Sequence, residues 1–464
     1  MTAMTLIFTL FVCLVAPLRA QSTPPSIAVG VDPRVELLSI IFRLGGHDEY
    51  FRPDAQSPYA EAVDAWFGPF KDDAAVLATK RLRSELSIGY NAPMDFAVHL
   101  TKVDDCEERV PFDLPPPMLD RRWTAEAARS FRVQVRDFAK RSRFKDFFAG
   151  QSERYHEVEA RFRDAIAKQV RSAWLDDFFG SRPRATFKVI PGLLVGGHNY
   201  GSSVRFADGR QEFTPVIGMW NWDASGLPRL DEHFLPTVIH EFVHAFTNPL
   251  VDEHWECLAP TAEVLFEMVR QPMEKQAYGS PRIMMYESYV RACVLRYLET
   301  HKGREAAEMQ AMDDMQRGFF WLPALSRELG RYEADRHRYP TLDAFFHETV
   351  GFFREGIRPP VVLTTKPDPN DQAVDPKLDE IIVTFDRPMQ PGSFSVVIGK
   401  AAFPDGRGKP SFDETRRIFR MPVQLEAGEN YELHFNGPRH RGFRSDFGIP
   451  LESVSLEFRT QSRE

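Results

Sequence analysis

One five-residue segment restricts what this chain can fold into more than any other, His240-Glu241-Phe242-Val243-His244. It lies in an apolar, helix-compatible stretch from Phe234 to Phe246. Residues four apart lie on one face of an α-helix, so both imidazoles can bind the same metal ion. Glu241 is then placed to accept a proton from water at that ion. The alternative is an ordinary buried helix whose histidines make only hydrogen bonds. We predict a zinc site in which His240 and His244 are ligands and Glu241 is the general base.

A catalytic zinc site takes three protein ligands and leaves one position open. In the metzincin pattern the third ligand is a histidine six residues after the second one, behind a glycine. This chain has Thr247 and Leu250 at those positions, so that pattern fails. In the gluzincin pattern the third ligand is a glutamate from a separate downstream helix. Two such helices are predicted, over Pro260–Arg270 and Arg282–Thr300.

Glu287 is the predicted third ligand. It lies in the mostly apolar stretch Met285–Ala292, where an unpaired carboxylate is costly to bury. Arg291 follows one helical turn later. It is predicted to pair with the Glu287 carboxylate and orient it without binding the metal itself. Glu256 and Glu263 remain alternative ligands, and a plain surface pair between Glu287 and Arg291 is the non-metal interpretation.

Composition limits the class of protein. A chain of 464 residues suggests two or three domains. Its 43% apolar and 27% charged residues are typical of a water-soluble globular protein. The formal net charge of -8 indicates no basic patch, so we expect no nucleic-acid partner.

Residues 1–20 are predicted to be a secretory signal peptide. The apolar run Leu6–Leu18 is short for a membrane span, and the small residue Ala20 precedes Gln21. The alternative is an uncleaved membrane anchor. We expect a secreted or periplasmic protein with no stable membrane insertion after the signal is removed.

Cysteine usage leaves the disulfide question open. Cys106, Cys257 and Cys293 follow the signal segment, an odd number. One disulfide, for instance Cys257 with Cys293, is compatible with an oxidising compartment, but the sequence does not assign it.

The order of elements predicts a helical part at about 33–180, strands at about 184–222 and active-site helices at about 233–300. A polar lead-in, Ser22–Asp32, comes first. Helices are predicted over Val35–Leu44, Ala60–Phe67, Ala74–Leu86, Thr124–Phe148 and Glu153–Phe179. Short strands are predicted over Thr186–Ile190, Val195–Arg205 and Phe213–Trp220.

Two features near the predicted site have open interpretations. The glycine-rich segment Gly196–Gly201 is either a rim that aligns an extended substrate by main-chain pairing or a plain hairpin. Peptide hydrolysis also needs a hydrogen-bond donor for the oxyanion. Four residues could chemically supply this donor, and the sequence does not rank them: Tyr200, His254, Tyr286 and Tyr289.

The region from Val31 to about Arg354 resembles an uncharacterised group of secreted bacterial proteins with a gluzincin-like zinc peptidase core. The residues that carry the likeness are Asp32–Leu44, Asn199–Gly201, His240–Pro249, and Glu287 with Val290–Ala292. The resemblance implies that His240, His244 and Glu287 bind Zn²⁺ and that Glu241 is the general base. It does not supply a substrate.

The last hundred residues differ in character. A polar, turn-rich linker, Pro367–Gln372, precedes short alternating strands. These strands are predicted over Ile381–Phe385, Phe394–Ile398, Tyr431–Phe435 and Val454–Phe458. The segments Val374–Ile381 and Thr384–Met389 resemble bacterial Ig-like domains, which implies a β-sandwich that acts as a spacer or docks to a surface or partner.

The predicted fold class is α+β. A mainly helical, zincin-like metallopeptidase core with a small β-sheet spans residues 21–358, and an all-β Ig-like sandwich spans 361–464. The predicted function is hydrolysis of peptide bonds in a peptide or protein substrate by a secreted zinc metallopeptidase. The alternatives are a non-catalytic binding protein on a degenerate peptidase core and a zinc hydrolase of a non-peptide amide or ester.

Overall fold

The computed structural model describes residues 26–51, 57–114, 119–230 and 234–462. Helices dominate the first two thirds of the chain, and β-sheets follow them at the carboxyl end. The predicted order of a helical region followed by an all-β region is therefore confirmed. None of the helices within the described ranges is long and apolar enough to cross a membrane. The predicted signal peptide, residues 1–20, lies outside the described residues.

Eight α-helices lie between residues 33 and 179 in the described part of the chain. They are α1 Pro33–Leu44, α2 Pro58–Phe67, α3 Ala74–Leu86, α4 Asn91–Val98, α5 Ala125–Arg141, α6 Phe144–Gly150, α7 Ser152–Gln169 and α8 Ala173–Phe179.

Local chemistry fixes the start and end of α1. The side chain of Asp32 accepts a hydrogen bond from the amide of Arg34, and Pro33 takes the first helical position. Gly45 caps the other end.

Two predicted long helices are each broken in the structure. The stretch Thr124–Phe148 forms α5 and α6, because Arg143 adopts a left-handed conformation with φ of 53°. The stretch Glu153–Phe179 forms α7 and α8. Between them the amide of Arg171 donates to the hydroxyl of Tyr297 at 2.9 Å. Both breaks depend on contacts or conformations that the periodicity of apolar residues does not report.

A small mixed sheet packs against α4 and α7 of the helical region. Its strands are β1 Ile27–Val29, β2 Ala185–Gly192, β3 Asn199–Tyr200, β4 Ser203–Arg205, β5 Gln211–Phe213 and β6 Val216–Gly218. The strand order is β3-β6-β2-β5-β4, and β1 also pairs with β2. The predicted lead-in Ser22–Asp32 thus contains a strand, parallel to β2. The predicted strands Val195–Arg205 and Phe213–Trp220 are shorter and interrupted by turns.

Within the described residues, six α-helices follow the sheet. They are α9 Phe234–Glu253, α10 Trp255–Lys275, α11 Pro281–Lys302, α12 Arg304–Gln316, α13 Leu322–Ala334 and α14 Leu342–Gly356. Helix α11 packs against α9, α10, α12 and α13, and most of its side chains are buried. Ser280 caps α11 by accepting from the amide of Ile283, and Pro281 takes its first position.

Two antiparallel sheets form the carboxyl-terminal region. The strands are β7 Val362–Lys366, β8 Glu380–Phe385, β9 Val396–Ile398, β10 Asp405–Gly406, β11 Ser411–Phe412, β12 Ile418–Gln424, β13 Asn430–Phe435 and β14 Val454–Arg459. One sheet has the order β10-β12-β8-β7, with β11 on β12, and the other has β14-β13-β9. Both sheets contribute to one apolar core. The predicted linker follows directly on β7, which is itself paired with β8.

The three cysteines of the described residues are free thiols. Cys293 is buried in α11, whereas Cys257 is exposed on α10. The pairing of Cys257 with Cys293 considered above is therefore not formed. Cys106 is buried among apolar neighbours, and this burial raises its pKa to about 12.

Candidate metal centre

Helix α9 presents His240 and His244 on one face, and α11 brings Glu287 against them. The Nε2 atoms of the two histidines are 3.2 Å apart. Glu287 Oε2 lies 3.5 Å from His240 Nε2, and Glu287 Oε1 lies 3.4 Å from His244 Nε2. The structure therefore brings all three predicted ligand residues together. Among the residues described, they form a group of donor atoms within 4.8 Å of one another that can hold a metal ion.

These separations fit a tetrahedral zinc site. Donors at the usual Zn–N and Zn–O distances of about 2.0–2.2 Å lie roughly 3.3–3.6 Å apart when they occupy tetrahedral corners. Two nitrogens and one carboxylate form a donor set that zinc accepts with a fourth position open. The side chains of His240 and His244 retain 20% and 15% of their exposure, so the site remains reachable from solvent.

Neighbouring side chains orient the ligands. The Nδ1 of His244 lies 3.2 Å from Asn248 Oδ1, a contact that directs Nε2 toward Glu287. The hydroxyl of Tyr278 donates to Glu287 Oε2 at 3.1 Å, and Arg291 Nη2 donates to the same hydroxyl at 3.0 Å. The predicted partner Arg291 also lies at ion-pair distance, with its Nε 3.3 Å from Glu287 Oε2.

Arg291 is itself held from two further sides. Its Nη1 donates to Asp314 Oδ1 on α12 at 2.5 Å. Its guanidinium also lies over the ring of Phe319, 4.9 Å from the ring centre. Both contacts fix the guanidinium beside Glu287, so the carboxylate keeps its orientation.

Burial and charge set the protonation preferences of the cluster. Burial lowers the pKa of His240 to about 3 and raises that of Glu241 to about 7. For His244, burial acts to lower the pKa, but the hydrogen bond and charge of Glu287 outweigh it and raise the pKa to about 9. Burial opposes ionisation of Glu287, yet His240, His244 and Arg291 together hold its pKa well below its usual range. An ionised Glu287 is the form that a metal ligand requires.

The other candidate ligands lie elsewhere. Glu256 and Glu263 are exposed on α10 and do not belong to the donor group. His198, in the turn before β3, is not part of that group either. Its ring lies 6.3 Å from that of Tyr200 and 5.8 Å from that of Tyr90.

Three of the four oxyanion-donor candidates make contacts of their own. The hydroxyl of Tyr286 donates to Asp252, and that of Tyr289 pairs with Thr349 in the core. The Nδ1 atom of His254 lies at hydrogen-bond distance, 3.0 Å, from the carbonyl oxygen of Leu250. The fourth, Tyr200, is buried on β3, and its hydroxyl contacts no hydrogen-bond partner in the described part of the chain.

Sequence reasoning missed Tyr278, Asp314 and Asn248. Asn248 was readable, because it follows His244 by one helical turn. Tyr278 and Asp314 were not, because their contacts depend on how the segment before α11 and the helix α12 pack around Glu287.

One edge of the small sheet approaches α9 closely. Gly201 follows β3, and a Cβ atom at this position would lie 2.6 Å from the carbonyl oxygen of Glu241 and 2.8 Å from Cβ of His244. Only a residue without a side chain fits there without displacing α9 or β3. The edge strand is therefore fixed beside Glu241.

A family model described as a domain of unknown function (DUF4932) matches residues 27–352. The chain belongs to the DUF4932 family. The matched region runs from β1 into α14 and includes all residues of the candidate metal centre, whereas β7–β14 follow it. No curated protein matches the sequence.

Three of the solved structures that match this chain do so at low TM-scores. CopC from Methylosinus trichosporium OB3b has a TM-score of 0.18 at 16% identity and covers 23% of this chain and 96% of its own. Domains 1–6 of the surface layer protein SbsC have a TM-score of 0.18 at 12% identity and cover 49% of this chain. The S-layer protein rSbsC(31-844) has a TM-score of 0.17 at 13% identity and covers 53% of this chain. The matches span only 34% and 36% of the two S-layer chains. At these scores the likenesses carry no argument about fold or function.

Proposed function

We propose that this DUF4932 protein is a zinc-dependent hydrolase that cleaves peptide bonds. The observation that carries the proposal is the arrangement of His240, His244 and Glu287 at tetrahedral separations beside Glu241. The presence of Glu241 favours catalysis over a purely structural metal site, because a zinc ion that only stabilises the fold needs no adjacent base.

The roles of the residues follow from their positions. His240, His244 and Glu287 would hold the zinc ion, which when bound polarises a carbonyl and makes a water molecule more acidic. Glu241, one residue after the first ligand, accepts the proton of the attacking water and delivers it to the leaving amine. Tyr278 and Arg291 keep the Glu287 carboxylate in place, and Asn248 fixes the orientation of the His244 ring.

The sheet edge favours an extended peptide as substrate. Strand β3 is the last strand in the order β3-β6-β2-β5-β4, and it pairs with β6 alone among the described strands. The close approach at Gly201 fixes this edge next to α9. A peptide that adds to an edge strand gains main-chain hydrogen bonds regardless of its sequence. The same pairing would carry its scissile bond past Glu241, which supports the rim interpretation of Gly196–Gly201.

We further propose a zincin-like core for residues 21–358, an Ig-like sandwich for 361–464, and a secreted or periplasmic location. Support for the sandwich comes from two antiparallel sheets that share one core. Support for export comes from the apolar run Leu6–Leu18, which is followed by the small residue Ala20 before Gln21.

The test is cleavage of a peptide library by the zinc-loaded protein, read by mass spectrometry beside Glu241→Gln. This variant keeps the size and polarity of residue 241 but removes the base. Zinc content is measured in both proteins, so that loss of metal is not mistaken for loss of the base. Cleavage by the wild type that vanishes in the variant supports a peptidase.

Equal cleavage by both proteins contradicts the role of Glu241 and points to a contaminant. Absence of cleavage by either protein contradicts peptide hydrolysis. The same zinc-loaded protein would then be assayed on non-peptide amides and esters. Lack of turnover there would leave the non-catalytic binding protein as the remaining alternative.

A further inference from the structure

A loop of the carboxyl-terminal region, Asp446–Ile449, packs against the helical region. The segment Asp446–Ile449 lies between β13 and β14, and Phe447 and Ile449 are buried in the same apolar core as α1–α14. The ring of Phe447 packs 5.3 Å from that of Phe352 and 6.0 Å from that of Phe353, both on α14. A side chain at Gly356 would collide with the Phe447 ring. The loop therefore packs tightly against the end of α14, with no space for a side chain between Phe447 and position 356.

Polar contacts hold the same loop from both sides. Asp446 pairs with Arg327 of α13 and, at 2.5 Å, with Arg416 of its own region. Nearby, Arg387 Nη1 donates to the carbonyls of Glu355 and Arg358 at 3.1 Å each. The two regions are joined at the end of α14 by packing and by charge.

The next residue of the loop contacts a segment that leads to the metal centre. Gly448 has φ of +108°, and a Cβ atom there would lie 2.5 Å from the ring of Phe320. The Phe320 ring meets that of Trp321 edge-on at 4.8 Å. Trp321 is fully buried, and its Nε1 donates to Ser288 Oγ at 3.0 Å. Ser288 is the residue after Glu287.

The residue before Phe320 contacts both side chains that hold Glu287. Phe319 is fully buried beneath the guanidinium of Arg291 and lies 6.1 Å from the ring of Tyr278. The segment Phe319–Trp321 thus touches α11 at Ser288, at Arg291 and, through Tyr278, at Glu287. Its outer side is covered by Gly448.

We infer that the Asp446–Ile449 loop of the carboxyl-terminal region is a positioning element of the metal centre. It holds Phe319–Trp321 against α11, and this segment holds Arg291 and Tyr278 on Glu287. A region that served only as a spacer would need no fitted contact with this segment. The inference rests on the metal site of the proposed function, but not on the identity of the bond that is cleaved.

The test compares Gly448→Ala and Phe447→Ala with the wild type and with Gly392→Ala. Gly392 is a matched control, since it also has a positive φ, +71°, in the carboxyl-terminal region, but no atom lies within 4 Å of an added Cβ. Zinc dissociation constants are measured by chelator competition, at a temperature well below the unfolding midpoint of every variant. The absorption spectrum of the cobalt-substituted proteins reports ligand geometry independently of activity.

We expect the zinc dissociation constant to rise roughly tenfold in Gly448→Ala and Phe447→Ala, the lower end of the range for residues that support ligands. The cobalt spectrum should change in both, whereas Gly392→Ala should match the wild type. Wild-type constants and spectra in all folded variants would overturn the inference while leaving the metal site intact. A wild type that binds zinc but cleaves nothing would refute the proposed function alone. A wild type that binds no zinc would refute both.

Discussion

The Glu287 carboxylate is the most tightly held group of the candidate centre. It is buried in α11, where an unpaired charge would be expensive. Two histidines, Arg291 and Tyr278 surround it at 3.1–3.5 Å. The histidines lie on α9, Arg291 lies one turn along α11, and Tyr278 lies in the segment before α11. The position of the two Glu287 carboxylate oxygens therefore depends on how these three parts pack.

Replacement of Tyr278 by Phe should weaken zinc binding without unfolding the protein. The change removes the hydroxyl that contacts both Glu287 and Arg291 but keeps the ring against Phe319. We expect the zinc dissociation constant to rise about 10-fold or more, as for other side chains that orient a metal ligand. Chelator competition measures it. Tyr286→Phe is the control, since its hydroxyl contacts Asp252, and a comparable loss in this variant would contradict the assignment.

Residue-level prediction worked where the chemistry is local. The pair His240 and His244 follows from helical spacing, and the link from Glu287 to Arg291 follows from the same rule applied to α11. Tyr278 precedes Glu287 by nine residues across a turn and a helix start, so no fixed spacing reports their contact. Its role depends on the tertiary structure.

At the scale of elements, the contact between α9 and Gly201, the residue after β3, leaves no room for a side chain. Gly201→Ala would place a methyl group 2.6 Å from a backbone oxygen, which cannot move as a flexible side chain can. We expect the free energy of unfolding to fall by about 1–3 kcal/mol, the usual cost of overpacking. We also expect weaker zinc binding, because His244 must shift.

Thermal unfolding with and without zinc measures both effects. Gly351→Ala in α14 is the control, because no atom lies within 4 Å of its added Cβ. An unchanged midpoint in Gly201→Ala would show that β3 and α9 are not fixed against each other.

Helix α1 carries a buried carboxyl that makes stability depend on pH. Glu36 is fully buried, accepts from Tyr59 at 2.6 Å and from the amide of Leu193 at 3.2 Å, and burial raises its pKa to about 7. Below about pH 4.5 the group is protonated in both the folded and the unfolded chain. As the pH rises to 7, the unfolded chain ionises first, so the free energy of unfolding falls by about 3 kcal/mol through this group.

Glu36→Gln should remove this share of the pH dependence. Between pH 5 and pH 8, urea unfolding should show the wild type losing about 2–3 kcal/mol more stability than the variant, because the unfolded wild-type chain is already partly ionised at pH 5. Glu61→Gln, at an exposed position of α2, serves as the control. Parallel pH profiles for Glu36→Gln and the wild type would exclude Glu36 as the source.

Elements with local start and end signals were predictable. The helix predicted over Ala74–Leu86 has those bounds in the structure, since Asp73 caps it and Ser87 leaves it in a left-handed conformation. Strand β1 was missed because its three residues gain stability from parallel pairing with β2, far along the chain. Strand β12 was missed although it pairs with β8, β10 and β11.

The molecule as a whole is less modular than its sequence indicates. The change from helical to alternating periodicity predicted the order of the two regions. It also suggested a linker between them, whereas β7 belongs to a sheet and Phe447 is buried among the helices. No local pattern around Phe447 indicates this docking, because its partners Phe352 and Phe353 lie almost a hundred residues earlier.

The candidate metal centre takes its three ligand side chains from two helices. By our inference, the segment before α11 and the Asp446–Ile449 loop help to place them. Calorimetric titration of metal-stripped protein with zinc tests the centre most directly. We predict that the wild type and Glu241→Gln each bind a single zinc ion, whereas His240→Ala, His244→Ala and Glu287→Ala lose this binding. Zinc binding that survives in all three alanine variants, or is absent from the wild type, would contradict the account.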